Sequence, residues 1–199
     1  MKPIERGELL GLAEYEAIRE RFRARVIAEK RLRRVALGPK ASALFENRDT
    51  VLLQIQEMLR TERITRPAAI DHEIETYNEN VPGDGELSCT VMIEIADRAE
   101  REAFLSDAAG FERHVWLVTD DRRIRARLIP HGGQLQDRTT AVHYFKFDLP
   151  DELLTALRSA REGGSAWPAV GLQVDHPAYA AQTALPRETL AQLADDLAS

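Results

Sequence analysis

The sequence predicts an α+β fold, in which long N-terminal helices are followed by a mostly antiparallel sheet with helices on one face. Three observations predict it. Over the first 80 residues, apolar side chains recur at three- and four-residue steps, the period of a helix with one buried face. From residue 86 the period changes to two, the alternation of a strand. Strands and helices then mix without regular alternation, which argues against a doubly wound parallel sheet. With 199 residues and 44% hydrophobic content, the chain is long enough for one domain over 1–199, mainly helical over 1–80 and mixed over 81–199.

The elements follow in order. Residues 8–33 read as one helix, with Leu12, Tyr15, Ile18, Phe22 and Val26 on a single apolar stripe. It stops before Gly38-Pro39, a breaker pair around which 34–37 and 41–46 form a hairpin. Asp49 or Thr50 then offers an N-cap for a helix to about Arg63, whose apolar side is Val51, Leu52, Ile55, Met58 and Leu59. Pro67 suits the first turn of a third helix ending near Asn80. Val81-Pro82-Gly83-Asp84-Gly85 is a break, and 86–95 alternates as a strand. A helix over 97–109, a strand over 115–118 and a turn at Asp120-Asp121 come next, with 123–129 pairing back as a hairpin. A strand over 140–148, a helix over 151–161, a strand over 168–174 and a helix from about 187 complete the chain.

Composition narrows the function classes. The formal net charge of −6 excludes a simple basic nucleic-acid binder, so nucleic acid is an unlikely partner. The charge is uneven: residues 1–66 carry 15 Lys and Arg against 10 Asp and Glu, a balance of +5, and the rest carry 12 against 23, a balance of −11. Such asymmetry suits contact between the two parts, or with a partner. No run approaches the roughly 18 apolar residues a membrane helix needs. The start has no apolar signal region, and Glu14, Glu16, Glu20 and Glu29 are unlike a transit peptide, so the cytoplasm is the expected location. One cysteine excludes an internal disulfide or an iron–sulfur cluster held on this chain's own thiols. Cys89, on the apolar side of its strand, reads as a buried inert thiol.

Several side chains are candidates for chemistry. Glu46-Asn47-Arg48-Asp49-Thr50, continued by Gln54, Gln56, Glu57 and Arg60, places Thr50, Gln54 and Glu57 on one helical face. A face of amide, carboxylate and guanidinium suits the wall of a polar pocket, and a partly buried Glu57 could serve as a general base; an ordinary capped surface helix is the competing reading. Arg123, Arg125 and Arg127 would share a strand face, either clamping an anion or charging an edge strand. His143 shares its strand face with Phe145 and Phe147, as a core histidine does; the alternative is an acid–base group or ligand at a pocket edge. His176 sits at a strand end before Pro177, and would pair with Asp175 only if the strand has already ended. His72, Glu75 and Glu79 share a helical face, a weak metal pattern without a second histidine.

The run Glu46-Asn47-Arg48-Asp49-Thr50-Val51-Leu52-Leu53-Gln54-Ile55-Gln56-Glu57-Met58-Leu59 resembles the signature of an uncharacterised bacterial family, domain-of-unknown-function family 3501. Tyr15-Glu16 with the Arg-rich helix, Tyr77-Asn78, Ala141-Val142-His143 and Asp175-His176-Pro177-Ala178-Tyr179 extend the resemblance over nearly the whole chain. His72, His114 and His131 fall outside these motifs, which leaves His143 and His176 as the histidines of interest. Members of the family are often encoded beside rubrerythrin-like proteins and an iron–sulfur protein, which implies, by association, a redox or oxidative-stress role. No cofactor is named by this resemblance.

Two functions are therefore expected. The first is an accessory or binding protein serving an iron–sulfur or rubrerythrin-like partner, docking through the basic N-terminal helix (Arg21, Arg25, Arg31), with a polar site formed by Glu46, Asn47, Arg48, Gln54, Arg60, Tyr77, Asn78, Asp175 and Tyr179. The second is an enzyme in which Glu57, His143 and His176 move protons or hold a metal and Arg48 binds a small anionic substrate.

Overall fold

The computed structural model describes residues 1–130 and 137–198. A single 3-10 turn, Arg6–Glu8, precedes α1 (Leu12–Arg33), and the hairpin β1 (Arg34–Ala36) and β2 (Ala41–Glu46) follows. Next come α2 (Arg48–Thr61), α3 (Pro67–Asn78), β3 (Glu86–Ile93) and α4 (Arg98–Asp107). The strands β4 (Val115–Thr119), β5 (Arg123–Arg125), β6 (Arg127–Ile129) and β7 (Val142–Asp148) lead to α5 (Asp151–Arg161). The chain closes with β8 (Val170–His176), β9 (Tyr179–Ala184) and α6 (Arg187–Asp196).

The α+β class, the helical front and the antiparallel pairing are as the periodicity predicts. The strands divide between two sheets, one of five strands in the order β1-β2-β3-β7-β6 and one of four in the order β5-β4-β8-β9. The division falls inside the segment read as one hairpin arm. The chain leaves the four-stranded sheet after Arg125, passes through the buried Ala126, whose N–H donates to the Val115 carbonyl, and joins the five-stranded sheet at Arg127. Arg123 and Arg125 therefore share a face, whereas Arg127 lies on another sheet, paired with Glu86 and Asp148.

Alternation explains the layers. One face of the five-stranded sheet presents Ala43, Phe45, Cys89, Val91, Phe145 and Phe147 to a core shared with Val115, Leu117, Leu172 and Val174 of the other sheet. Leu105 of α4, Leu157 of α5 and Leu193 of α6 fill the same core. The opposite face carries Ser42, Glu46, Ser88 and Thr90, all buried although polar. The helical front covers them. β2 is thus buried along its whole length, on both faces.

Three differences from the sequence reading have a local reason. The first helix does not run from residue 8, because the buried Gln56 amide accepts from the Leu10 N–H and donates to the Leu10 carbonyl, occupying that backbone with a bond other than a helical one. The N-cap of α2 is Asn47, not Asp49 or Thr50: its side chain accepts from the Thr50 N–H while the Thr50 hydroxyl accepts from the Asn47 N–H, a reciprocal capping box. The strand β9 was not expected, since Tyr-Ala-Ala-Gln-Thr-Ala is poor in β-branched residues, and pairing with β8 decides its state.

The end of α1 is fixed by charge. Arg33, only 2% exposed, donates to both carboxylate oxygens of Asp196 on α6 and to Glu29 one turn earlier. Removing one partner of such a pair leaves an uncompensated buried charge, which costs about 3–5 kcal/mol. Arg33→Ala is accordingly expected to lower the unfolding free energy by about 3 kcal/mol or more in urea denaturation. Arg6→Ala, which removes a half-exposed pair with Asp71, is expected to cost less than about 1 kcal/mol.

Candidate functional site

Four residues at the start of α2 tie that helix to other parts of the molecule. Glu46 is buried and accepts from the Thr50 hydroxyl and from the Thr90 hydroxyl of β3. The Asn47 amide donates to Glu29 of α1. Arg48 donates to Glu8 and to the Lys2 carbonyl, anchoring the N-terminal segment. Asp49 accepts from Arg25 of α1. Further along α2, Glu57 accepts from the Tyr15 hydroxyl at 2.7 Å and from two nitrogens of Arg19 at 2.7 and 2.8 Å. Those bonds hold its pKa down at about 2, so Glu57 is a carboxylate clamped between two helices. Burial, and then the same pairing, push the Tyr15 hydroxyl above the usual phenol range. Arg60 meets Glu16 of α1 through two nitrogens.

The remaining predicted binding residues are also engaged internally. Asn78 accepts from the Ile4 N–H and donates to the Ile4 carbonyl, both at 2.9 Å, so it mimics a strand partner for the N-terminal segment. Gln54 hydrogen-bonds the phenols of Tyr77 and Tyr144, linking α2 and α3 to the polar face of β7. The Tyr179 hydroxyl donates to the Leu37 carbonyl and accepts from the Lys40 N–H, bracing the four-stranded sheet against the β1–β2 turn. Gly38 in that turn has φ +74°, and a Cβ there would stand 2.5 Å from the same hydroxyl, so a side chain would disturb both. Burial and the nearby Glu46 push the Cys89 thiol far above the usual range, so it stays protonated.

A second cluster lies at the end of the four-stranded sheet. Asp175 accepts from His114 Nδ1 at 3.1 Å, from Trp116 Nε1 at 3.0 Å and from Arg123. Three donors hold its carboxyl at a pKa of about 2. The guanidinium of Arg123 lies 4.2 Å from the centre of the Trp116 ring, and that of Arg125 5.8 Å. β8 runs through His176, so Asp175 and His176 point to opposite faces and do not pair. The partner of Asp175 is instead His114, which the motif reading set aside. The signals available in the sequence were the alternation of Arg123 with Arg125 and the two-residue spacing of His114 and Trp116. The β4–β8 pairing that brings Asp175 to them is long-range.

The predicted acid–base residues do not form one site. Glu57 lies in the helical layer on the polar side of the five-stranded sheet, whereas His143 lies on the apolar side, stacked between Phe111 and Phe145. His176 belongs to the other sheet: its Nδ1 accepts from the Ala178 N–H, so Nε2 carries the proton and donates to the Ala109 carbonyl. His131 lies outside the described residues. No group of three or more His, Cys, Asp or Glu is placed to hold a metal ion among the described residues, His72, Glu75 and Glu79 included.

His143 is a satisfied buried imidazole. It bonds the Thr140 backbone and meets the Thr139 hydroxyl at 2.9 Å, and burial lowers its pKa below the ordinary value. The unfolded chain therefore takes up a proton at a pH where the folded chain does not, and stability falls as pH drops below about 6.5. The expected slope from this residue is at most about 1.4 kcal/mol per pH unit. In His143→Gln the loss between pH 7 and pH 5, read by denaturant titration at each pH, is expected to be shallower than in the wild type.

Residues 3–197 match the model of a family described as "Protein of unknown function (DUF3501)". A crystal structure of a novel protein of unknown function from Burkholderia pseudomallei is similar to this chain, with 32% identity and a TM-score of 0.88, over 98% of this chain and 100% of that one. No curated protein matches the chain. No helix among the described residues is long and apolar enough to cross a membrane. The family match over almost the whole length, joined to a near-complete structural match, gives one conclusion: the chain belongs to the DUF3501 family.

Proposed function

We propose that this protein is an accessory binding protein of a redox or oxidative-stress system, docking an acidic protein partner through the outer face of α1. The observation that carries the reading is the division of labour on that helix. Arg19 and Arg33 turn inward to Glu57 and Asp196, and Arg25, although exposed and expected among the docking cations, is paired with Asp49. Arg21 and Arg31 are exposed and make no ion pair among the described residues. They flank Ala24, Ile27 and Ala28 at three- and four-residue steps on one solvent-facing stripe. Ile27 is 40% exposed and the neighbouring Leu32 38%. A rim of cations around exposed apolar side chains suits a negatively charged protein surface, because opposite charge steers the encounter while apolar contact slows release. The association of the family with iron–sulfur and rubrerythrin-like proteins, implied by resemblance, supports such a protein as the partner.

Charge reversal tests the reading. Arg21→Glu with Arg31→Glu removes no internal ion pair, so the melting temperature is expected to stay near that of the wild type. Binding to the iron–sulfur protein encoded beside such genes, measured by calorimetry, is expected to weaken at least tenfold, and wild-type binding to weaken with added salt. Unchanged affinity in the double variant would remove the α1 docking face.

A further inference from the structure

We propose that His114 and Arg125, at the end of the four-stranded sheet, form a binding site for a small oxyanion, the phosphate or carboxylate group of a ligand, with His114 as the group that exchanges a proton with it. The site is independent of the docking face on α1.

Asp175 is held ionised by three donors and can only accept. His114 Nδ1, 3.1 Å from Asp175 Oδ1, must therefore carry the proton of that bond. In the neutral ring, Nε2 then holds a lone pair, turned away from Asp175. Among the described residues nothing is hydrogen-bonded to Nε2, and the side chain is 36% exposed. The neighbouring His176, whose ring centre lies 4.9 Å away, shows the opposite arrangement: both of its nitrogens are used by backbone groups. Of two adjacent histidines, one is spent on the fold and the other is oriented by a carboxylate and left open at its outer nitrogen. That orientation is the second-neighbour arrangement general acids and bases use.

Charge selects the ligand. Arg125 donates to the Arg113 carbonyl, the peptide group immediately before His114, so its guanidinium is held at the backbone next to that residue. It forms no ion pair among the described residues. Arg123 neutralises Asp175, and Arg113 has only a distant contact with Glu112, at 3.9 Å. These groups leave a local excess of positive charge in the part of the chain whose balance is −11. An oxyanion arriving there meets the Arg125 fork and His114 Nε2. If it carries a proton, the lone pair accepts it; if the imidazole is charged, Nε2–H donates.

The test uses the whole chain, labelled with nitrogen-15, at one fixed pH. Long-range proton–nitrogen spectra are expected to show the Nδ1–H tautomer for His114 and the Nε2–H tautomer for His176. Inorganic phosphate and, separately, acetate are titrated against sodium chloride at matched ionic strength. The expected result is a saturable shift of His114 Nε2 and of the Arg125 guanidinium with at least one of the two anions, His176 staying unmoved. Phosphate alone, or acetate alone, identifies which oxyanion the site prefers. Arg125→Gln is expected to weaken the response at least tenfold, and Asp175→Asn to remove the Nδ1–H preference. An Nε2–H tautomer for His114 in the wild type, or shifts with both anions no larger than with chloride, would overturn the proposal, and both are read without any variant.

Discussion

Glu29 accepts from the Arg33 guanidinium and from the Asn47 amide, and Arg33 in turn holds Asp196. This small network joins the end of α1, the start of α2 and the last helix, and the rest of the molecule is arranged around it. Asn47 is its hinge, because the same side chain caps α2 through Thr50. Glu46, just before it, ties the cap to β3 through Thr90. Arg48 and Asp49, just after it, tie the cap to the N-terminal segment and to α1. Four adjacent residues thus tie α1, α2 and the N-terminal segment to the five-stranded sheet.

That use of polar groups limits where recognition can occur. A side chain whose donors and acceptors are spent internally has none to offer a ligand without breaking a bond worth about 1 kcal/mol or more. Glu57, Asn78, Tyr179 and His176 are all in that condition. The groups left over lie elsewhere, on the outer stripe of α1 and at the end of the four-stranded sheet. Glu46, Asn47, Arg48 and Asp49 build the scaffold, and exposed cations are among the groups that the scaffold displays.

Much of the fold was legible because it rests on local periodicity. The stripe of Tyr15, Ile18, Phe22 and Val26, the alternation along β3 and the break at Gly38-Pro39 each state their element within a few residues. The second sheet was not legible. It is set by long-range pairing: the chain changes sheets at the buried Ala126, β4 pairs with β8, and an alanine-rich strand takes its state from pairing with β8. The candidate site divided in the same way. The residues of the Glu46 to Arg60 run could be picked out, but their partners are 18 to 44 positions away for the bonds of Asn47 and Glu46, and spacing carries no record of them. His114 falls outside the motifs that carry the family resemblance, and its partner, Asp175, lies 61 positions further along the chain.

The structural role of Asn47 can be separated from simple helix capping by comparing two substitutions in equilibrium urea denaturation. Asn47→Ala loses the cap and the bond to Glu29, and should lower the unfolding free energy by about 2 kcal/mol or more. Asn47→Asp keeps a strong capping group but sets a second carboxylate against Glu29, so it should be destabilised by a similar amount. If Asn47→Asp were as stable as the wild type, the junction would be no more than a helix cap, and the account of the motif as the tie between α1, α2 and α6 would be contradicted.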